Sequence, residues 1–90
     1  FELNPTISVF PNPFRDHFFI DIQLSKPSSN ILIELFDING KKLLSKKLSA
    51  INNIVFSSVK NQEIAFLPRG LFLITVSIDD FQSTYKLIKL

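Results

Sequence analysis

The closing stretch of this chain, residues 67–90, constrains the fold more than any other segment. A turn signal at Pro68 and Gly70 precedes a run rich in β-branched and aromatic residues, and Asp79-Asp80 separates that run from a second one. Strand side chains alternate between the two faces of a sheet. The first run therefore predicts a central strand with one buried face, made of Phe72, Ile74, Val76 and Ile78.

The rest of the chain contains further short extended runs with turn signals between them, at spacings of about eight to twelve residues. These runs cover residues 7–10, 18–24, 31–36, 41–48 and 51–59. No segment shows a 3.6-residue apolar period over a helical length. We therefore predict an all-β fold, an immunoglobulin-like β-sandwich of about seven antiparallel strands.

Several turns have chemistry that predicts their geometry. Asn39-Gly40 lies between two apolar runs, which favours a type I′ hairpin turn with positive φ at both residues. Gly40 and Gly70 are the only glycines, and we expect positive φ at each. Residues 60–63 are predicted to interrupt the strands, and Asp79-Asp80 to form a hairpin turn.

Pro11-Asn12-Pro13 follows the first run. Two prolines fix φ at their own positions, remove two backbone donors and favour extended conformations at the residues before them. The segment is predicted to be a rigid elbow that carries the chain between sheets.

Composition excludes several function classes. Ten Lys and Arg against eight Asp and Glu leave a net charge of +2, too small and scattered to indicate nucleic-acid binding. The chain has no cysteine and one histidine, His17, which excludes disulfides, thiolate metal sites and a catalytic triad. Asp37 begins a segment that faintly resembles a calcium loop, but Lys41 stands where an oxygen ligand is needed. We predict no enzyme activity, metal or cofactor.

The lysines of the fourth run, Lys41, Lys42, Lys46 and Lys47, permit two interpretations. They could form a basic patch for a partner, or they could be solvated and protect an edge strand from pairing. No apolar run approaches the roughly 20 residues of a membrane-spanning helix. Because the chain begins at Phe1 without methionine, we expect a piece of a longer protein, with residues 1–6 as the end of a linker and 7–90 as one domain.

Four segments, in order, resemble a known family. They are residues 9–13 (Val-Phe-Pro-Asn-Pro), 34–41 (ending Asn-Gly-Lys), 67–72 (Leu-Pro-Arg-Gly-Leu-Phe) and 85–89 (Tyr-Lys-Leu-Ile-Lys). The set resembles the type A C-terminal sorting domain of the type IX (Por) secretion system of Bacteroidetes. Each motif alone is weak, but the ordered set spans residues 7–90. Phe72 stands where the family more often has tyrosine.

The resemblance implies a C-terminal delivery signal on an N-terminal cargo domain. The cargo would cross the periplasm and then be secreted or displayed on the cell surface. The implied partners are an outer-membrane translocon, a shuttle β-barrel protein and a sortase-like peptidase that cleaves near the domain's N-terminal edge. The residues implied in sorting are Pro11, Asn12, Pro13, Asp37, Gly40, Lys41, Gly70, Phe72, Lys86 and Lys89.

Two other functions are compatible with the sequence. A carbohydrate-binding or adhesive β-sandwich would normally present exposed Trp or Tyr side chains, whereas this chain has no tryptophan and only Tyr85. A structural spacer would be expected to have neighbouring domains on both sides, whereas we expect this chain to end at Leu90. For the sorting function, main-chain pairing of a partner with the last strand is one hypothesis for recognition.

Overall fold

The computed structural model of the protein describes residues 4–26, 28–50 and 52–90, without the side chains of Ser29 and Asn61. The described residues form seven β-strands and one short helix. The elements are β1 (Thr6–Phe10), β2 (Phe18–Gln23), β3 (Ser28–Phe36), β4 (Lys42–Ala50), β5 (Ile54–Val59), α1 (Asn61–Ile64), β6 (Gly70–Ile78) and β7 (Phe81–Lys89).

The strands build two antiparallel sheets that face each other, which confirms the predicted β-sandwich. One sheet has the order β1-β2-β5, and the other has the order β4-β3-β6-β7. In the constant-type immunoglobulin arrangement the fourth strand lies in the same sheet as the first, second and fifth strands. Here β4 pairs with β3 instead, which makes sheets of three and four strands.

The core is made by the alternating inward positions of the inner strands, as the sequence predicts. Phe18, Ile20 and Ile22 of β2 are fully buried against the inward residues of β3 and β6. The central position of β6 between β3 and β7 is confirmed. The inward residues of β3 and β6 are Ile31, Ile33, Leu35, Phe72, Ile74, Val76 and Ile78.

The hairpin between β3 and β4 is confirmed, but the predicted type I′ turn is wrong. Asp79 is the only non-glycine residue with positive φ among the described residues, so Asn39 does not have the required conformation. Gly40 alone does, with φ of 87°, and its N–H donates to the Asp37 carbonyl at 3.1 Å. This is the geometry of a wider turn that ends in a left-handed glycine. The Asp37 side chain favours it by accepting backbone bonds inside the loop.

Other element boundaries differ from the sequence predictions. The fourth strand begins at Lys42 and continues to Ala50, beyond the predicted end at residue 48. The fifth strand begins only at Ile54, and Ile51 lies outside the described residues. Residues 61–64, partly predicted as a break, form the single-turn helix α1. No helix in the described part of the chain is long and apolar enough to cross a bilayer.

Lys46 ties the two sheets together along one side of the sandwich. Its Nζ donates to the Ser58 carbonyl at 3.0 Å and lies 3.1 Å from a Glu63 carboxylate oxygen. The interpretation of all four lysines of this region as solvated is therefore wrong for Lys46. The backbone N–H of Lys60 lowers the pKa of Glu63, and Lys46 lowers it further against the opposing effect of burial.

Candidate functional site

The segments that resemble the sorting family meet at one end of the four-stranded sheet. Phe36, the last residue of β3, is opposite both Lys42 and Leu73, at the starts of β4 and β6. Gly70 is opposite Lys89, near the end of β7. We call this end, formed by residues 10–14, 36–42, 69–73 and 86–90, the motif end. These segments are far apart in the sequence, and the order of the strands in the sheet brings them together.

The Pro-Asn-Pro segment is attached to the outer edge of β7. The Asn12 side chain donates to the Lys86 carbonyl at 2.8 Å and accepts from the Ile88 N–H at 3.0 Å. Phe14 continues the pairing through its backbone, donating to the Ile88 carbonyl and accepting from the Leu90 N–H, each at 2.8 Å. Asn12 thus makes the bonds that a backbone amide of an added strand would make. The edge of β7 is covered over residues 86–90.

The same segment carries the chain from one sheet to the other, as predicted for the elbow. Strand β1 belongs to the three-stranded sheet, whereas Phe14 forms a parallel bridge with Lys89 of the four-stranded sheet. The peptide bonds before Pro11 and Pro13 are both cis. The Phe14 ring is 1% exposed and makes an edge contact with Phe18 at a centroid distance of 5.1 Å. Phe14 therefore closes the core at the motif end.

The turn at residues 37–41 is held by a single carboxylate. One Asp37 oxygen accepts from the backbone N–H groups of both Asn39 and Lys41, each at 2.9 Å. A Cβ at Gly40 would meet no atom within 4 Å, so its φ of 87° is the reason for glycine there. Both Gly40 and Lys41 are exposed to solvent. The backbone of the turn is therefore held by hydrogen bonds to one carboxylate, while Gly40 and Lys41 remain accessible to a partner.

The residues near Gly70 divide into structural and exposed positions. Gly70 has φ of 139°, which confirms the predicted positive φ, and space around it is open. Phe72 is 4% exposed and packs in the core, so a partner cannot contact it directly. Lys89 is half-buried, and its Nζ donates to the Leu67 carbonyl at 2.9 Å. Lys86, in contrast, faces solvent.

The ten residues implied in sorting are thus brought to one end of the molecule but differ in accessibility. Asp37 and Lys89 are half-buried, and Phe72 is buried. The exposed members are Pro11, Asn12, Pro13, Gly40, Lys41, Gly70 and Lys86. The exposed members lie near the end of β3, the start of β6 and the end of β7, at the same end of the sheet.

The first described residues lie at the opposite end of the sandwich. Asn4 and Leu24 border one groove together with Asp79 and Phe81 of the β6–β7 hairpin. Asp79 has φ of 51°, and its carboxylate accepts from the Ser28 hydroxyl at 3.0 Å. Each nine-residue strand of this sheet spans about 27 Å. The start of the described chain and the motif end are therefore separated by about that distance.

Sequence reasoning missed an aromatic cluster on the outer face of the three-stranded sheet. Phe19 contacts Phe10 and Phe56 at centroid distances of 5.8 and 5.3 Å, and Phe56 remains 60% exposed. Alternation predicts that Phe19 points outward, but the meeting of the three rings depends on the pairing of β2 with β1 and β5. No local signal in the sequence reveals that pairing.

The described residues offer no cluster suited to holding a metal ion. No three His, Cys, Asp or Glu side chains in residues 4–26, 28–50 and 52–90 lie close enough to hold an ion. The His17 ring contacts the Asp16 carboxylate at 2.7 Å and packs edge-on against Phe19 in an exposed loop. This pair is exposed to solvent and belongs to no metal-holding group of three His, Asp or Glu side chains within that part of the chain.

Comparison with known proteins identifies the family. The sequence model of the secretion system C-terminal sorting domain matches residues 8–90. This range includes β1 from its third residue, every other strand and all residues of the motif end. A search of curated proteins returns no match. The chain belongs to the family of C-terminal sorting domains of the type IX secretion system.

Proposed function

We propose that this chain is a non-catalytic delivery signal whose motif end is read by the type IX export machinery. The residues proposed to be read directly are the exposed ones: Pro11, Asn12, Pro13, Gly40, Lys41, Gly70 and Lys86. The other three are proposed to act indirectly. Asp37 holds the turn at residues 37–41, Phe72 packs in the core, and Lys89 bonds the Leu67 carbonyl in the segment before β6.

The observation that carries this proposal is the attachment of Asn12 and Phe14 to β7. It joins the Pro-Asn-Pro motif and the lysine-bearing last strand, which are more than seventy residues apart in sequence, into one surface. A recognition protein can therefore contact both motifs at once. If the two motifs acted separately, the hydrogen bonds between Asn12 and the last strand would not be needed for recognition.

The hydrogen bonds along residues 86–90 limit where a partner strand could pair with β7. Residues 86–90 already pair with Asn12 and Phe14. No hydrogen bond to the outer edge of residues 81–85 is present within the described part of the chain. Main-chain pairing with a partner would therefore use residues 81–85, or it would first have to displace the Pro-Asn-Pro segment.

The proposed sequence of events begins with a cargo domain joined at the N-terminal side and passing through the periplasm. An outer-membrane translocon and a shuttle β-barrel protein bind the motif end, and a sortase-like peptidase cuts near residues 1–6. Asn4 is exposed and lies about 27 Å from the motif end. That separation supports simultaneous recognition and cleavage. The peptidase at the N-terminal side would not compete with the translocon and the shuttle protein for the motif end.

The test is export of a periplasmic reporter fused to residues 1–90 in a Bacteroidetes host. We expect the reporter outside the cell in the wild-type host and retained in a translocon deletion strain. The variant N12A should reduce export, whereas N52A, the same change at an exposed asparagine away from the motif end, should not. Export that persists without the translocon, or retention of the wild-type fusion, would reject the proposal.

A glycan-binding module is the second candidate, because the phenylalanine cluster provides exposed aromatic surface. Phe19 and Phe56 are stacked on each other at an interplanar angle of 25°. Their ring faces contact each other, whereas a sugar platform needs faces turned toward solvent. The arrangement is therefore less suited to glycans, and binding on a glycan array that F56A abolishes would reverse this ranking.

A further inference from the structure

The outer face of the four-stranded sheet has an unusual row of side chains at the motif end. The register aligns one residue from each strand across the sheet, in the order β4, β3, β6 and β7. The row is Lys42, Phe36, Leu73 and Lys86. Two apolar residues thus lie between two lysines. The next position toward the end of the sheet adds a second apolar pair, Leu71 opposite Ile88.

These apolar side chains form one continuous strip. Leu73 is opposite Phe36, and Leu71 is two residues away on the same face of β6. Leu71 and Ile88 are 40% and 43% exposed, whereas Phe36 and Leu73 are half-buried. The neighbouring row is polar and contains the hydroxyl pair Thr75 and Thr84, 3.0 Å apart. The strip therefore ends sharply toward the middle of the sheet.

The charge around the strip is positive. Lys86 is exposed and makes no ion pair with any described residue. Lys42 lies 3.2 Å from the Glu34 carboxylate but remains about half exposed. Arg69 and Lys41 are exposed at the same end. The half-buried carboxylates of Glu34 and Asp37 thus stand against four cations, so the surface carries a positive excess and favours a partner with negative charge.

We propose that this strip docks an apolar ridge flanked by carboxylates on a protein of the type IX machinery. The proposal rests on the proposed sorting function and names the chemistry of its partner. Strands in a sheet are about 4.8 Å apart, so the Lys42 and Lys86 backbones are separated by about 14 Å across three spacings. The matching carboxylates should have a similar separation. Apolar contact at the centre and charge pairing at the rim is the usual anatomy of a specific interface.

A protein surface fits this strip better than a lipid surface. Phe36 and Leu73 are half-buried, so neighbouring side chains already cover much of the apolar surface at the centre of the strip. Insertion into a bilayer requires apolar side chains that project beyond the charged groups. A partly covered apolar strip between two lysines instead suits a complementary protein face that contacts the apolar and the charged groups together.

The binding test uses the purified 90-residue chain and the type IX outer-membrane complex isolated in detergent from a Bacteroidetes host. We expect the double variant K42E/K86E to weaken binding at least tenfold, and K42Q/K86Q to weaken it by less. The control K47E/K60E makes the same change in net charge at two exposed lysines outside the strip, and its affinity should stay within twofold of wild type. Wild-type binding should weaken as salt is raised, because exposed charges are screened.

Three outcomes would overturn the inference, and they can be told apart. If K42E/K86E binds the complex and is exported like the wild type, the strip is not the docking face, although the sorting function stands. If wild type binds anionic phosphatidylglycerol vesicles and only that binding is lost in K42E/K86E, the partner is lipid. If the wild-type fusion is neither exported nor bound, the proposed function fails, and the inference fails with it. Thermal melting of each variant identifies any loss of folding.

Discussion

The Asn12 side chain accepts a hydrogen bond from the backbone N–H of Ile88 at 3.0 Å, although 76 positions separate the two residues. The same side chain donates to the carbonyl of Lys86. A side-chain amide has one donor group and one acceptor, which is the pair that an edge strand presents to its neighbour. Asn12 therefore serves as one residue of an added strand.

We expect the substitution N12A to lower the free energy of unfolding by about 1 kcal/mol, because two solvent-accessible hydrogen bonds are lost. The melting temperature of a domain of this size should fall by about 4–8 °C. The Ile88 amide proton should exchange faster with solvent, which NMR can measure. The control N52A should change neither quantity. An Ile88 amide that stays protected in N12A would contradict the assigned hydrogen bond.

Gly40 is expected to be required for its backbone conformation alone, since a Cβ at this position would have no atom within 4 Å. The substitution G40A should lower the free energy of unfolding by about 1–2 kcal/mol, the cost of a left-handed conformation for an L-residue. Asparagine adopts this conformation more readily, so G40N should cost less than G40A. Denaturant unfolding measures both values. Equal losses in the two variants would point to a cause other than φ.

The carboxylate of Glu63 should make stability depend on pH. Its pKa is lowered in the folded state, first by the Lys60 N–H and then by Lys46, so folding favours the ionised form. The stabilisation of the folded state by ionised Glu63 is fully present above the ordinary pKa of a glutamate. It is lost as pH falls through the lowered pKa of the folded state.

The isosteric variant E63Q should therefore be less stable than the wild type near neutral pH, by about 0.5–1 kcal/mol. The difference should shrink as the solution is acidified through the range below the ordinary glutamate pKa. Urea unfolding at a series of pH values measures it. The control D80N removes an exposed carboxylate that has no hydrogen bond in the described part of the chain. A difference for E63Q that grows toward acid pH would have the wrong sign.

Lys86 and Lys89 lie on the same strand but should differ in their effect on stability. The variant K89M loses the hydrogen bond from Nζ to the Leu67 carbonyl, and we expect a loss of about 1 kcal/mol. The variant K86M changes an exposed side chain, so its stability should remain within about 0.5 kcal/mol of wild type. Chemical denaturation compares the two. If K86M were the more destabilised variant, the division into recognition and structural lysines would be wrong.

Local sequence determined the strands and the direction in which their side chains point. Alternation in β2 and β6 predicts the apolar core residues correctly, because an apolar period of two is a property of neighbouring residues. The positive φ at Gly40 and Gly70 is likewise local, since only glycine adopts it without cost. The turn type at residues 37–40 was mispredicted because the Asp37 carboxylate stabilises a wider loop than Asn-Gly alone would favour.

Only the tertiary structure decided which distant segments meet. Strand order places Asn12 beside Ile88, Lys46 beside Glu63, and the three phenylalanines together on one outer face. The sequence does not distinguish a solvated lysine or asparagine from one whose side chain bonds a distant segment. The difference arises from the pairing of strands far apart in sequence, which no local pattern encodes. For that reason sequence alone indicated the sorting motifs, whereas the folded chain brings them to one end of the molecule.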